Sequence, residues 1–309
     1  MRIKQLMGAI ILIGIVIGLA AFGLGRNKPI QQVNNTKLTI VASFYPLYDF
    51  AKQVGGAKAQ VTNITPAGSE PHDYEPSPGQ LVSAQKAKIF VYNGATLEVW
   101  VNKFLPGFKH LSVKASQGID LREGQNEDGA ASPNVKDPHF WLDPVLAEQV
   151  VDNIRDGLIR SDPADKEYFV ARAESYKAKL AQLDRDFKAG LESCQSRSII
   201  TSHAAFGYLA KRYNLDVASI AGVSPDEEPS AAKLAELSQL ARAKNIKYVF
   251  FESLVSPRLA ETIAQETGAK TAVFDPIEGI SDADQKQGKD YLSVQRQNLA
   301  ALHAALACR

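Results

Sequence analysis

The stretch Ser161–Cys194, "SDPADKEYFVARAESYKAKLAQLDRDFKAGLESC", decides how the rest of the chain is organised. Asp162 suits a helix cap, and Pro163 suits the first helical position, where a missing N–H costs nothing. Beyond them Phe169, Tyr176, Leu180, Leu183 and Phe187 recur at helical intervals and lay one apolar stripe along a continuous helix. Roughly thirty residues at 1.5 Å each reach about 45 Å, too far for one small lobe. Residues 161–193 therefore read as a stiff spine shared by two lobes. A short Gly/Ser linker would let lobes swing; a spine predicts limited hinge motion.

On both sides of the spine, short apolar runs alternate with helical spacing. Before it, "KLTIVASF", "AQVTNI", "KIFVYNG" and "LSVKA" read as strands, with helices over "PLYDFAKQVGG" and "GQLVSAQKA". After it, "RSIITS", "DVASIAG", "KYVFFES" and "KTAVFDP" read as strands. Helices fit "AAFGYLAKRYN", "SAAKLAELSQLARAKN", "PRLAETIAQETG" and "YLSVQRQNLAALHAALA". The fold class is α/β, with lobes over 38–160 and 194–309, each a mostly parallel sheet flanked by helices. The polar run "REGQNEDGAASPNVK" (Arg122–Lys136) shows no periodicity and reads as a mobile surface loop.

The bulk numbers narrow the class. With 309 residues, 45% hydrophobic content and a formal net charge of +1, the chain is an ordinary globular protein without the basic excess of a nucleic-acid binder. Its start is different. Arg2 and Lys4 precede the apolar run Leu6–Gly25, so residues 1–25 read as an export signal or an uncleaved membrane anchor. No cysteine stands near its end to carry a lipid. The remainder is expected outside the cytoplasm, periplasmic or membrane-anchored. Only Cys194 and Cys308 occur. In an exported chain they suit a disulfide tying the last helix to the middle of the sequence; two separately buried thiols are the alternative.

Three of the five histidines share a local design. His72 follows Pro71 ahead of the Ser77-Pro78 cap. His139, in "KDPHFWLDP", follows Pro138 ahead of the Asp143-Pro144 cap. His203 follows the β-branched strand "SIIT" and leads into a helix. Ligands of open α/β sheets bind beyond the carboxyl ends of strands, and these positions lie there. His110 and His303 sit at a strand entrance and on the terminal helix and read as inert. Taken singly, each of the three is also explained as a surface or capping residue; together they can converge on a cation across a cleft, as neutral imidazoles commonly do. The carboxylate that would complete a four-ligand zinc set lies in "TAVFDPIEGI", as Asp275 or Glu278. Glu70, Asp73 and Asp143 stand near enough in sequence to orient the rings.

"EPHDYEPSP", "DPHFWLDPVLA", "TSHAAFGYLAKRY", "FFESLVSPRLAETIAQETGAKTAVFDPIEGI" and "GKDYLSVQRQNLAAL" occur in this order. From about Leu38 onward the chain resembles the solute-binding proteins of zinc and manganese ABC importers, the ZnuA/TroA-type family. The resemblance implies two α/β lobes joined by a long rigid helix, with the metal buried between them. It implies His72 and His139 as ligands from the first lobe and His203 from the second, with Glu278 favoured over Asp275 as the fourth. Manganese-type relatives tend to carry Glu at the position of His203, so three imidazoles point to Zn²⁺, with Mn²⁺ left open. The His-rich run of many zinc relatives is missing from 122–136.

Capture without chemistry is the function this implies: a monomer binds Zn²⁺ and passes it to an ABC permease in the membrane. A manganese- or iron-binding homologue or a surface adhesin is the alternative. A zinc hydrolase, with Glu70 or Asp73 as base, would need an open coordination position that Asp275 or Glu278 fills.

Overall fold

A computed structural model describes residues 37–126 and 128–309; the apolar segment 1–25 lies outside the described residues. In chain order the first half holds β1 (Leu38–Ala42), α1 (Tyr45–Gly55), β2 (Ala59–Asn63), α2 (Pro78–Ala84), β3 (Ile89–Tyr92), α3 (Val101–Phe104), β4 (Leu111–Lys114), β5 (Glu123–Gln125), β6 (Ala131–Lys136) and α4 (Pro144–Ser161). Next comes α5 (Lys166–Gly190). The second half holds β7 (Ser198–Thr201), α6 (Gly207–Tyr213), β8 (Asp216–Ser219), α7 (Ala231–Ala243), β9 (Tyr248–Phe251), α8 (Arg258–Thr267), β10 (Lys270–Val273), α9 (Asp282–Lys286) and α10 (Tyr291–Ala305).

The two sheets repeat one topology. Their orders are β2-β1-β3-β4 and β10-β9-β7-β8, and every neighbouring pair in them is parallel. In each half the chain runs from the first strand to a neighbour, then crosses back to the other side. This leaves a crevice beyond the carboxyl ends of the first and third strands, where such sheets bind ligands. The apolar, β-branched strands β1, "LTIVA", and β7, "SIIT", are nearly continuously buried, as strands covered on both faces must be.

The helix α5 carries the apolar stripe read from the sequence: Phe169, Tyr176, Leu180, Leu183 and Phe187 are all buried. Its start differs from the expectation. Pro163–Asp165 forms a separate 3-10 turn, and the Asp162 side chain caps nothing. The helix proper has 25 residues and spans about 38 Å. Its first part packs through Tyr176 on Phe50 of α1, and its last part stacks Phe187 on Tyr213 of α6, ring centroids 4.9 Å apart. One apolar cluster runs without a break from Leu38 to Leu306.

The expected loop over 122–136 is instead an antiparallel hairpin, β5 with β6. Asn126 closes its turn: its side-chain Oδ1 accepts the Ala130 N–H at 2.8 Å, and Gly129 takes a φ of +80° that a side chain would resist. The hairpin reaches the second half, where the Val223 N–H donates to the Gln125 carbonyl at 3.0 Å. A Cβ on Gly222 would stand 2.8 Å from that same carbonyl oxygen, so the close approach requires glycine. Cys194 and Cys308 form a disulfide that fastens the end of the chain just beyond α5.

Candidate metal centre

His72, His139, His203 and Glu278 come together, and each arrives by a different local device. His72 lies on the irregular segment between β2 and α2, whose start is fixed by a capping box between Ser77 and Gln80. His139 precedes a 3-10 turn, Phe140–Leu142, that leads into α4. There Asp143 accepts the N–H groups of Val145 and Leu146, and Pro144 needs no partner. His203 sits just past the carboxyl end of β7, and Glu278 in the turn after β10. The rings of His139 and His203 and the Glu278 carboxylate are buried, and the His72 side chain is 7% exposed, which makes it the side nearest solvent.

The donor atoms converge. His139 Nε2 lies 3.1 Å from His72 Nε2 and 3.2 Å from His203 Nε2. Glu278 Oε1 lies 3.2, 2.9 and 3.4 Å from Nε2 of His72, His139 and His203. Four corners about 2.05 Å from a common centre, the usual zinc distance, would be separated by about 3.3 Å. The cluster is thus of the size that encloses a tetrahedral cation.

Carboxylates set which nitrogen faces inward. Asp137 Oδ1 lies 2.9 Å from His139 Nδ1, and Glu252 Oε1 lies 2.7 Å from His203 Nδ1. A carboxylate only accepts, so each Nδ1 carries the proton and each Nε2 turns a lone pair to the centre. Asp137 also accepts the backbone N–H of His139 at 3.0 Å. Neither residue stood out in the sequence as a ring partner. Asp137 could have been found by its position two residues before His139, whereas Glu252 is visible only once β9 lies beside β7.

The expected ring partners fare differently. Glu70 accepts the backbone N–H of His72 at 3.0 Å and faces Glu278. Asp143 is engaged by its own helix and by Arg212, and Asp73 is exposed beside Asp226, so these two are not ring partners in the structure. Asp275 stays outside the cluster because both its oxygens are engaged, one by the Ile277 N–H at 2.6 Å and the other by the Ser253 hydroxyl. Among the described residues His110 and His303 take no part.

The electrostatics suit a cation. Burial alone would raise the Glu278 carboxyl, but the charges of His203 and His72 outweigh it and hold it well below the usual range. Burial opposes the charged form of His203, yet Glu252 and Glu278 hold the ring well above its ordinary value. Burial likewise opposes His139, and its bonds to Asp137 and Glu278 prevail and raise it. For His72 burial wins and lowers it. Burial and the charge of Glu278 push the Glu70 carboxyl up to about 9.

Residues 40–305 match the family described as zinc-uptake complex component A periplasmic, ZnuA. The chain belongs to this family. It is 39% identical over 313 residues to the high-affinity zinc uptake system protein ZnuA of Bacillus subtilis (strain 168), covering 98% of each chain. It is 41% identical over 282 residues to the zinc-binding lipoprotein AdcA of Streptococcus pneumoniae (strain R6), covering 88% of this chain and 56% of that protein. Among solved structures, the Zn(II)-bound ZnuA-like domain of Streptococcus pneumoniae AdcA superimposes with a TM-score of 0.76 at 41% identity, over 87% of this chain and 99% of that one. The ZnuA fold, two parallel sheets flanked by helices with a long helix between, is the fold found here.

Proposed function

We propose that this protein captures Zn²⁺ outside the cytoplasm and delivers it to the membrane permease of an ABC importer. His72, His139, His203 and Glu278 are its ligands, and it works as a monomer. The observation that carries the reading is the convergence of three Nε2 atoms and one carboxylate, with two of the rings oriented by Asp137 and Glu252. Three imidazoles and one carboxylate suit zinc better than the harder Mn²⁺. Four protein ligands leave no position for an activated water, so the site holds an ion and does not hydrolyse. The relatives support the transport role by their own names: a zinc uptake system protein and a zinc-binding lipoprotein. Among the described residues no helix is long and apolar enough to cross a membrane.

The test is elemental analysis of protein purified without chelator, followed by melting with and without added zinc. One zinc per chain and a large upward shift are expected, with Mn²⁺ displaced by Zn²⁺ in competition. An unshifted melt would sink the reading.

A further inference from the structure

The turn that delivers Glu278 has a backbone conformation its own side chains resist. Ile277 is buried and has a φ of +60°. In this left-handed region a β-branched side chain crowds the adjoining peptide, and glycine or asparagine is the usual occupant. Such a residue persists only where its surroundings over-determine it.

Four side chains hold it, one from the turn itself and three from elsewhere in the fold. Asp275 Oδ1 accepts the Ile277 N–H at 2.6 Å, while the Ser253 hydroxyl donates to the other oxygen of the same carboxylate. Asn298 of α10 grips the backbone of Asp275 twice, accepting its N–H at 2.9 Å and donating to its carbonyl at 2.7 Å. The Trp141 indole N–H donates to the Pro276 carbonyl at 2.8 Å, and Trp141 lies two residues beyond His139. On the far side Gly279 fits closely, since a Cβ there would stand 3.0 Å from Leu254 and 3.3 Å from the Ser69 carbonyl.

We propose that Asp275 and Asn298 are positioning residues for the ion-binding site: they keep Ile277 left-handed, and that conformation aims the Glu278 carboxylate at the three imidazoles. The inference rests on reading Glu278 as the fourth ligand. When the hold is removed, Ile277 returns to a negative φ, the next peptide rotates, and Glu278 leaves the centre. Water then takes the fourth position on an ion that the histidines still bind.

Cobalt(II) on the full chain reads this out, because four-coordinate cobalt absorbs visible light far more strongly than cobalt with added waters. Asp275→Ala is expected to weaken the visible bands as Glu278→Ala does and to release cobalt to a chelator about tenfold faster or more, equivalent to about 1.4 kcal/mol. Asp275→Ala combined with Ile277→Gly is expected to regain both properties, because glycine takes a positive φ unaided. A purely structural Asp275 would lower the melting temperature and leave spectrum and release unchanged; that result, or a double variant no better than the single one, overturns the proposal. If Asp275→Ala does not fold, Asn298→Ala is read by the same two measures, and wild-type behaviour there overturns it equally. A wild-type chain without cobalt bands removes the ligand assignment itself and the proposal with it, a failure distinct from the others.

Discussion

His139 Nε2 stands 2.9 Å from Glu278 Oε1, although 139 positions of sequence separate the two residues. Behind the ring, Asp137 meets Nδ1 at the same 2.9 Å, so one imidazole is gripped from both sides. An outer partner of this kind fixes the tautomer and makes the inner nitrogen more basic. Asp137→Asn and Glu252→Gln should each weaken zinc binding about 10- to 100-fold, and His139→Ala and His203→Ala by more. Chelator competition on the four variants measures this; wild-type affinity in Glu252→Gln would remove the orienting role.

The response to pH should reverse when zinc is added. His139 and His203 are raised on folding, so the stability they contribute is full below about 6.5 and is lost as pH rises through their folded values. Asp275, pushed by burial up to about 7, and Glu70, up to about 9, act in the same sense, since the native state keeps protons that the unfolded chain has released. His72, lowered by burial, opposes them alone, and Glu278 titrates below this window. The melting temperature of ion-free protein should therefore fall between pH 6 and 9. Zinc must displace the same protons, so its affinity should rise over that range with proton release, measurable by calorimetry in buffers of different ionisation enthalpy. A rising ion-free melting curve would contradict the assignment.

His203→Glu should move preference from Zn²⁺ toward Mn²⁺ by replacing an imidazole with a harder oxygen donor. It would also set a second carboxylate against Glu252, which now accepts the hydrogen bond of the His203 Nδ1–H, so the variant should bind zinc more weakly. Paired titrations with the two ions test both consequences.

The disulfide closes a loop with a sequence separation of 114, for which the chain-entropy argument gives about 4.8 kcal/mol. Replacing both cysteines by serine should lower the melting temperature by about 10 °C, with zinc stoichiometry unchanged. Loss of zinc binding with intact folding would instead tie the bridge to the site.

Gly222→Ala should destabilise the fold by about 1–3 kcal/mol, because its Cβ would meet the hairpin backbone at Gln125 and Asn126. Urea unfolding measures the loss. An unchanged midpoint would mean that the hairpin moves aside freely.

Much of this was legible in the sequence because it was local. The strands of both sheets follow from β-branched runs such as "SIIT", and the stripe on α5 follows from spacing alone. Three histidines could be picked out because each stands where a strand gives way to a helix. The hairpin escaped because "EGQ" and "ASPNVK" are polar on both faces and owe their pairing to a tight turn and to a neighbour in the other half. The resemblance already favoured Glu278 over Asp275, and the fold adds a physical reason: Ile277 and Ser253 engage both oxygens of Asp275. Asp143 shows the converse: its cap was readable, and that same role removes it from the rings.

The terminal helix α10 supplies Asn298 to the Glu278 turn and Tyr291, whose hydroxyl donates to the Trp141 carbonyl at 2.5 Å. One helix thus braces both the turn that carries Glu278 and the short strip that follows His139. Lifting α10 from the rest of the fold would slacken the two together. If Asp275 and Asn298 position Glu278 as proposed, undocking α10 would cost the ion its carboxylate while leaving the imidazoles in place.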